Sequence, residues 1–564
     1  MDWEAAIRNK RDALLACIPV HWRLSEVELR RAKAHIDVRT VLPSLLSPVE
    51  QAITALPAAP LLLALRCGDY TASEVCGAFS HRAALAHQLT NCLCELDFAA
   101  ATARAQHLDA YFRKHRRPSG PLHGLPVSLM DRFHVAGLDS TCGFASWIGH
   151  PKTIDDEGVV LRALRHAGAL VYCKTNVSMG ALMGETVNNI VGFTVNPCNI
   201  KLSAGGACGG EGALLALGGS AVGIGTDLVG SSRIPAAFNG LAALKTSEGR
   251  LSTSGIATIL RGLPVASGSI GLMAKDISSV ELVFKTLLES EPWREDPNVI
   301  ELPWRAEKHD AIAKRAGASG YSSGRLVLGL MACDQNVQPH PNVARALEHV
   351  KETLEKEGHE IVDWNPPPHP EAVENLLKIF GSAAGPAIVE AIKASGEPPI
   401  AQIRTLFDQP NVTSNSTAEF WDLCQRREEY KQAYAAYWAQ MGGCSASGRA
   451  VDGVVLPVAP TSAVRAGEFH YLAYSAIANV LDLPAVAFSV AREGYSDAKA
   501  VASPSNLSKM DEVVKRTYCE DDAQNMPVGL QVICPRLQEE CALALATIIE
   551  QALHARAHSA HNKD

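Results

Sequence analysis

Residues Asn196 to Gly240 read N-P-C-N-I-K-L-S-A-G-G-A-C-G-G-E-G-A-L-L-A-L-G-G-S-A-V-G-I-G-T-D-L-V-G-S-S-R-I-P-A-A-F-N-G. Glycine stands at 205, 206, 209, 210, 212, 218, 219, 223, 225 and 230. Without a Cβ, backbone can approach other backbone or a ligand closely and can adopt positive φ. A run this dense in glycine, set between two ordinary globular regions, predicts tight loops around a site. A flexible Gly/Ser linker is the competing reading. The apolar blocks Ala213–Leu217 and Ala221–Ile224 speak against it, because flexible linkers lack them.

The surrounding chain sets the frame. It has 564 residues, 47% of them apolar and 20% charged, which suits a soluble globular protein with a large core. A net charge of −8 argues against a nucleic-acid partner. The acidic start Met1-Asp2-Trp3-Glu4 lacks the apolar core of a signal peptide. The longest apolar stretch, Gly212–Thr226, is too short to span a bilayer. Fifteen dispersed cysteines without a C-x-x-C pair fit reduced thiols and a cytoplasmic protein. No metal or cofactor signature is present, so neither is expected. The expected partner is a small-molecule ligand, and a homodimer is left open.

Periodicity and capping signals predict helices over Trp3–Cys17 and over Ser25–His35, the latter opened by Ser25 with Glu28 three residues on. Helical spacing then continues from Thr71 through Phe112. Short apolar runs at Leu125–Leu129, Gly168–Tyr172, Arg325–Ala332, His359–Val362, Gly453–Val458, Pro484–Ala491 and Gly529–Cys534 read as buried strands. Long helical patterns at Asn342–Gly358, Glu371–Lys393, Thr417–Met441 and Glu539–His554 interleave with them. The alternation predicts an α/β fold with a parallel or mixed sheet covered by helices on both faces. Residues 1–57 form a helical preface and 58–564 one domain, with the polar stretch 492–526 a surface excursion or lid.

Two blocks carry a resemblance. Gly205-Gly206-Ala207-Cys208-Gly209-Gly210 is followed, about twenty residues on, by Gly225-Thr226-Asp227-Leu228-Val229-Gly230-Ser231-Ser232-Arg233-Ile234-Pro235-Ala236. The pattern resembles the amidase signature family, which carries G-G-S-S-G-G and then G-T-D-x-G-G-S-x-R-x-P-A. Gly120–Leu129, Gly184–Asn189, Leu456–Thr461 and Pro527–Val532 extend the likeness, closest in pattern to the fungal acetamidase branch. It implies a single α/β/α domain around a large twisted mixed sheet, and carboxamide hydrolysis by a Ser–Ser–Lys relay.

Carried over position by position, the resemblance puts the nucleophile on Ser231, which is present. The relay lysine falls on Met130 and the bridging serine on Ala207. The oxyanion loop falls on Leu228, Val229 and Gly230, with Val229 in place of a glycine. Asp227 and Arg233 match the pair that supports this loop. Methionine has no titratable group and alanine no hydroxyl, so neither can move a proton. Losing a base that acts as a unit with its nucleophile removes up to about 10⁶ in rate. A β-branched valine would also strain a left-handed backbone at 229. His123, His134 and Cys208 are the residues that could stand in for the lost relay.

The fold is therefore expected to hold a pocket lined by Met179, Ala181, Met183, Thr226 and Cys208, drier than an amidase's and suited to apolar or acyl-bearing ligands. Three functions stay open. The pocket performs non-hydrolytic chemistry on a small acyl or amide-type metabolite, or it binds a ligand or partner without catalysis, or it retains a residual amidase or esterase activity through Ser231.

Overall fold

A computed structural model describes residues 2–266, 268–317, 325–407, 415–490 and 506–561. Eleven strands build one sheet: β1 (Leu93–Leu96), β2 (Pro126–Met130), β3 (Leu170–Thr175), β4 (Val222–Asp227), β5 (Ala242–Lys245), β6 (Ser269–Ala274), β7 (Val327–Leu330), β8 (Glu360–Asp363), β9 (Gly453–Pro457), β10 (Ala485–Val490) and β11 (Val528–Ile533). Their order across the sheet is β1-β3-β2-β4-β6-β5-β10-β11-β9-β7-β8. The pairs β2/β3, β2/β4, β7/β8 and β7/β9 are parallel and the rest antiparallel, so the sheet is mixed. Most of its strands are buried residue by residue, as expected where helices cover both faces.

Helix starts follow their sequence signals. Ser25 with Glu28 and Thr71 with Glu74 form reciprocal capping boxes. The expectation of unbroken helix from Thr71 to Phe112 is corrected. That helix stops at Thr90, with Asn91 in the left-handed conformation, and Leu93–Leu96 pairs with β3 before a new helix starts at Phe98. The four residues Leu-Cys-Glu-Leu between two helices carry no strand signal of their own; the partner strand supplies it. β4, β5 and β6 were also not anticipated as strands, and they form the middle of the sheet.

The N-terminal helix Trp3–Ala16 is anchored by Lys10, whose Nζ pairs with Glu95 and lies 2.8 Å from Asp139 Oδ2. Ile7 packs with Ala145 and Ile190. Of the expected excursion at 492–526, residues 492–505 lie outside the described residues. The remainder is less irregular than its composition suggests. Helix Lys509–Arg516 buries Val514, and Asp511 accepts the Gln338 N–H at 2.9 Å. Among the described residues no single helix is long and apolar enough to cross a membrane.

Parallel pairing of β2 with β4 decides where the site forms. Parallel neighbours end at the same edge, and the register places Leu129 opposite Ile224. Met130, the last residue of β2, therefore arrives beside Gly225, and the loop after Asp227 opens next to it.

Candidate active site

Met130 is fully buried. Its Sδ lies 3.3 Å from Cys208 Sγ and 3.4 Å from Thr226 Oγ1. A glycine is required between them: a Cβ on Gly225 would stand 2.7 Å from Cys208 Sγ. The Cys208 N–H donates to the Ser231 carbonyl at 3.1 Å, which fastens the segment carrying Ala207 and Cys208 to the one carrying Ser231. The structure thus brings Met130, Ala207, Cys208, Thr226 and Ser231 into one buried cluster. Ser231 is 2% exposed, and its Oγ makes no hydrogen bond to a described residue.

The loop around Ser231 is held by Asp227 and Arg233, both fully buried. Asp227 Oδ1 accepts the Gly230 N–H at 2.9 Å, and Oδ2 accepts the Ser232 hydroxyl at 2.8 Å. Arg233 closes a fork on the same carboxylate, Nη2 to Oδ1 at 2.8 Å and Nε to Oδ2 at 3.0 Å. Burial by itself would raise the Asp227 pKa. The Arg233 charge and its hydrogen bonds outweigh burial and hold the carboxyl well below the usual carboxylate range. Three further residues complete the support and were not found from sequence. Arg233 also donates to Gln531 Oε1 at 2.7 Å and Asn479 Oδ1 at 2.7 Å, and Ser475 Oγ donates to the Val229 carbonyl at 2.6 Å. They lie more than 240 residues along the chain, so no local pattern links them to the loop.

Val229 needs a correction. The residues with positive φ include Gly230, at +116°, but not Val229. The valine therefore fits its backbone without the strain expected from sequence. The N–H groups of Val229 and Ser231 donate to no described acceptor, whereas that of Gly230 is committed to Asp227. The glycine at 230 is the demanding position, because an added Cβ would lie 2.4 Å from Ser475 Oγ. Gly230→Ala should lower stability by about 2–5 kcal/mol, combining overpacking with backbone strain. Thermal or denaturant unfolding measures this, and a change under about 1 kcal/mol would show that the loop can open without loss.

Of the three residues considered as substitutes for the relay, the two histidines make their hydrogen bonds elsewhere, and Cys208, though in the cluster, is held as a thiol. His123 lies at the opposite end of β2 from Met130, with Nδ1 3.0 Å from Ser119 Oγ and its ring against Phe112. His134 Nδ1 lies 3.0 Å from Ser140 Oγ; burial, then the Lys152 and Lys174 charges, pull its pKa down to about 4. Burial drives the Cys208 thiol far above its ordinary pKa, so it is not a thiolate nucleophile. The buried lysine next door, Lys174 on β3, lies 2.8 Å from Asp131 Oδ1 and donates to Ser140 Oγ at 3.0 Å and to the Asp139 carbonyl.

Met179, Ala181 and Met183 lie on one turn that abuts the same cluster. The Ser178 N–H reaches the Ala207 carbonyl at 3.4 Å, and the Met183 carbonyl is 2.5 Å from where a Cβ on Gly206 would stand. Gly180, in the middle of the turn, faces Ile259 Cδ1 and Phe144 Cζ, each 3.4 Å from a Cβ position, with Ile388 Cδ1 at 3.8 Å. This wall is apolar.

Comparison with known proteins places this arrangement. The amidase family model matches residues 74–543. The chain belongs to the amidase family. The acetamidase of Aspergillus oryzae is 37% identical over 552 residues, covering 98% of this chain and 99% of that protein. The acetamidase of Emericella nidulans is 36% identical over 551 residues, covering 98% of each. Among solved structures, a fatty acid amide hydrolase superposes with a TM-score of 0.88 at 28% identity, over 98% of this chain and 95% of that one. The large mixed sheet with surrounding helices is the amidase fold.

Proposed function

We propose that this amidase-family protein keeps the family's pocket but not its hydrolytic relay, and that it holds a small acyl or amide-type molecule there for work other than amide hydrolysis. In this reading Ser231 stands at the nucleophile position, Met130 at the lysine position and Ala207 at the bridging-serine position. The observation that carries it is the surroundings of Met130. A thioether, 3.3 Å from Cys208 Sγ and 3.4 Å from Thr226 Oγ1, lies where a neutral amine would have to sit, and the Ser231 hydroxyl has no hydrogen-bond partner among the described residues. A general base contributes about 10²–10⁴ in rate and neither sulfur supplies one. The intact Asp227–Arg233 support, the unused Val229 and Ser231 N–H groups and the apolar turn at 179–181 favour a retained binding site over a collapsed one.

The test is covalent labelling. A fluorophosphonate reacts only with an activated serine, so the protein should stay unlabelled under conditions that label an active amidase completely, and should not hydrolyse small aryl amides. Labelling that is abolished by Ser231→Ala would overturn the proposal and return the protein to the hydrolases.

A further inference from the structure

The neighbourhood of Met130 contains a charge that the amidase pattern does not explain. Arg132, two residues beyond the end of β2, is only 6% exposed. Its Nη1 donates to Thr226 Oγ1 at 2.9 Å, the same hydroxyl that lies 3.4 Å from Met130 Sδ. Its Nε donates to the Ala257 carbonyl at 2.8 Å, and its own carbonyl accepts the Ala257 N–H at 2.7 Å. Nη2 donates to no oxygen of a described residue, and no described carboxylate pairs with the guanidinium. The adjacent Asp131 is engaged by Lys174 at 2.8 Å and by the Thr141 N–H at 3.2 Å.

A buried guanidinium without a carboxylate is unfavourable unless something pairs with it. Its companions are the Ala257 carbonyl, the Cys142 thiol and the Thr226 hydroxyl, none of them charged, and the hydroxyl is a second potential donor. The fork geometry of a guanidinium fits the two oxygens of a carboxylate. The Cys142 carbonyl accepts the Gly180 N–H at 2.9 Å, and the turn at Gly180, flanked by Phe144, Ile259 and Ile388, is apolar.

We infer that the pocket takes a carboxylate, with Arg132 and Thr226 holding the anionic head and the apolar wall receiving the body, so that its ligand is an apolar carboxylic acid rather than the corresponding carboxamide. This rests on the proposed reading of the pocket and narrows it. It also amends the expectation, drawn from Met130 with Met179, Ala181 and Met183, that the pocket prefers apolar or acyl-bearing ligands over charged ones. An amidase's substrate is neutral at the carbonyl and gains nothing from a permanent cation beside its base, whereas an ionised acid does.

The experiment uses the full chain with its nine methionine methyls carrying ¹³C. The Met130 signal is assigned by its disappearance in Met130→Leu. Phenylacetate, phenylacetamide, hexanoate and hexanamide are titrated at pH 7.5, where both acids are ionised. The acids should shift the Met130 methyl and saturate at concentrations about 10- to 100-fold lower than their amides, the range of a hydrogen bond to a charged group. In Arg132→Gln the acids should weaken to the level of the amides while the amides keep their affinity. Arg132→Lys, which keeps the charge but not the fork, should retain part of the preference. Circular dichroism and thermal unfolding check that the variants fold, and the acid–amide comparison on the unaltered protein needs no variant. Equal affinities for acid and amide, or an acid preference that survives Arg132→Gln, would overturn the carboxylate assignment while leaving the pocket in place. If no acid or amide moves the Met130 methyl, both this inference and the proposed binding site fall.

Discussion

Met130→Lys combined with Ala207→Ser should raise Ser231-dependent hydrolysis of a small aryl ester by about 10²–10⁴ over the unaltered protein, the range of a working general base. Each single change should stay within about tenfold of it, because residues that act as a unit contribute non-additively. A lysine at 130 without the bridging hydroxyl has no path to Ser231, and a hydroxyl at 207 without the lysine has no base. The site is suited to the repair. A lysine chain is one heavy atom longer than methionine's and would enter the space beside Thr226 Oγ1 and Cys208 Sγ, which now lie 3.4 and 3.3 Å from the sulfur. The Arg132 guanidinium, on the same threonine, disfavours a second cation and so pushes the amine toward the neutral form a base must have. Val229 sits outside the left-handed region and its N–H is unused, so adding Val229→Gly should change the rate by less than about tenfold, well short of the 10²–10³ that a missing oxyanion donor costs. The assay compares single, double and triple variants, each with a Ser231→Ala control and with circular dichroism to confirm folding. A folded double variant with no Ser231-dependent turnover would mean that more than the relay has diverged.

Arg233→Met should lower stability by about 3–5 kcal/mol at neutral pH, because it leaves the Asp227 carboxylate buried and unpaired. The pH dependence separates this from simple loss of packing. In the native protein the Asp227 pKa is depressed, so the pair's contribution is fully present above the ordinary carboxylate value of about 4 and is lost only as pH falls through the lower folded value. Without Arg233, burial, the largest influence on this carboxyl, raises its pKa instead. The variant's deficit is then largest at pH 7.5 and shrinks as pH falls toward 5, where the folded state takes up the proton. Asp227→Asn with Arg233→Met should be less damaged than Arg233→Met alone. Denaturant unfolding at pH 7.5 and pH 5 measures both effects. An equal deficit at the two pH values would show that Arg233 acts through shape and not through charge.

Residue identities and their spacing are enough to tell what kind of protein this is. The spacing of Gly205–Gly210 and Gly225–Ala236 identifies the family, and the family implies the mixed sheet. Methionine at 130 and alanine at 207 have no proton to move in any environment, and that much is legible without coordinates at the two positions the resemblance gives to the relay. Capping at Ser25 and Thr71 was equally legible, because a cap's partners lie within one helical turn. Other features were decided only by tertiary structure. Leu93–Leu96 is a strand because β3 offers it an edge, not because its four residues prefer one. Val229 is unstrained because the positive φ falls one residue later, on Gly230, where Ser475 leaves no room for a side chain. His123 and His134 are near Met130 in sequence, yet one sits at the other end of β2 and the other on Ser140. Asn479, Gln531 and Ser475 join the Ser231 loop from more than 240 residues away. Arg132 carries no signal between Asp131 and Phe133; only the fold sets its guanidinium on Thr226, buried and without a carboxylate among the described residues. The chemistry of a side chain belongs to the residue, so sequence reports it. Its partners, its pKa and its conformation depend on which distant segments fold against it.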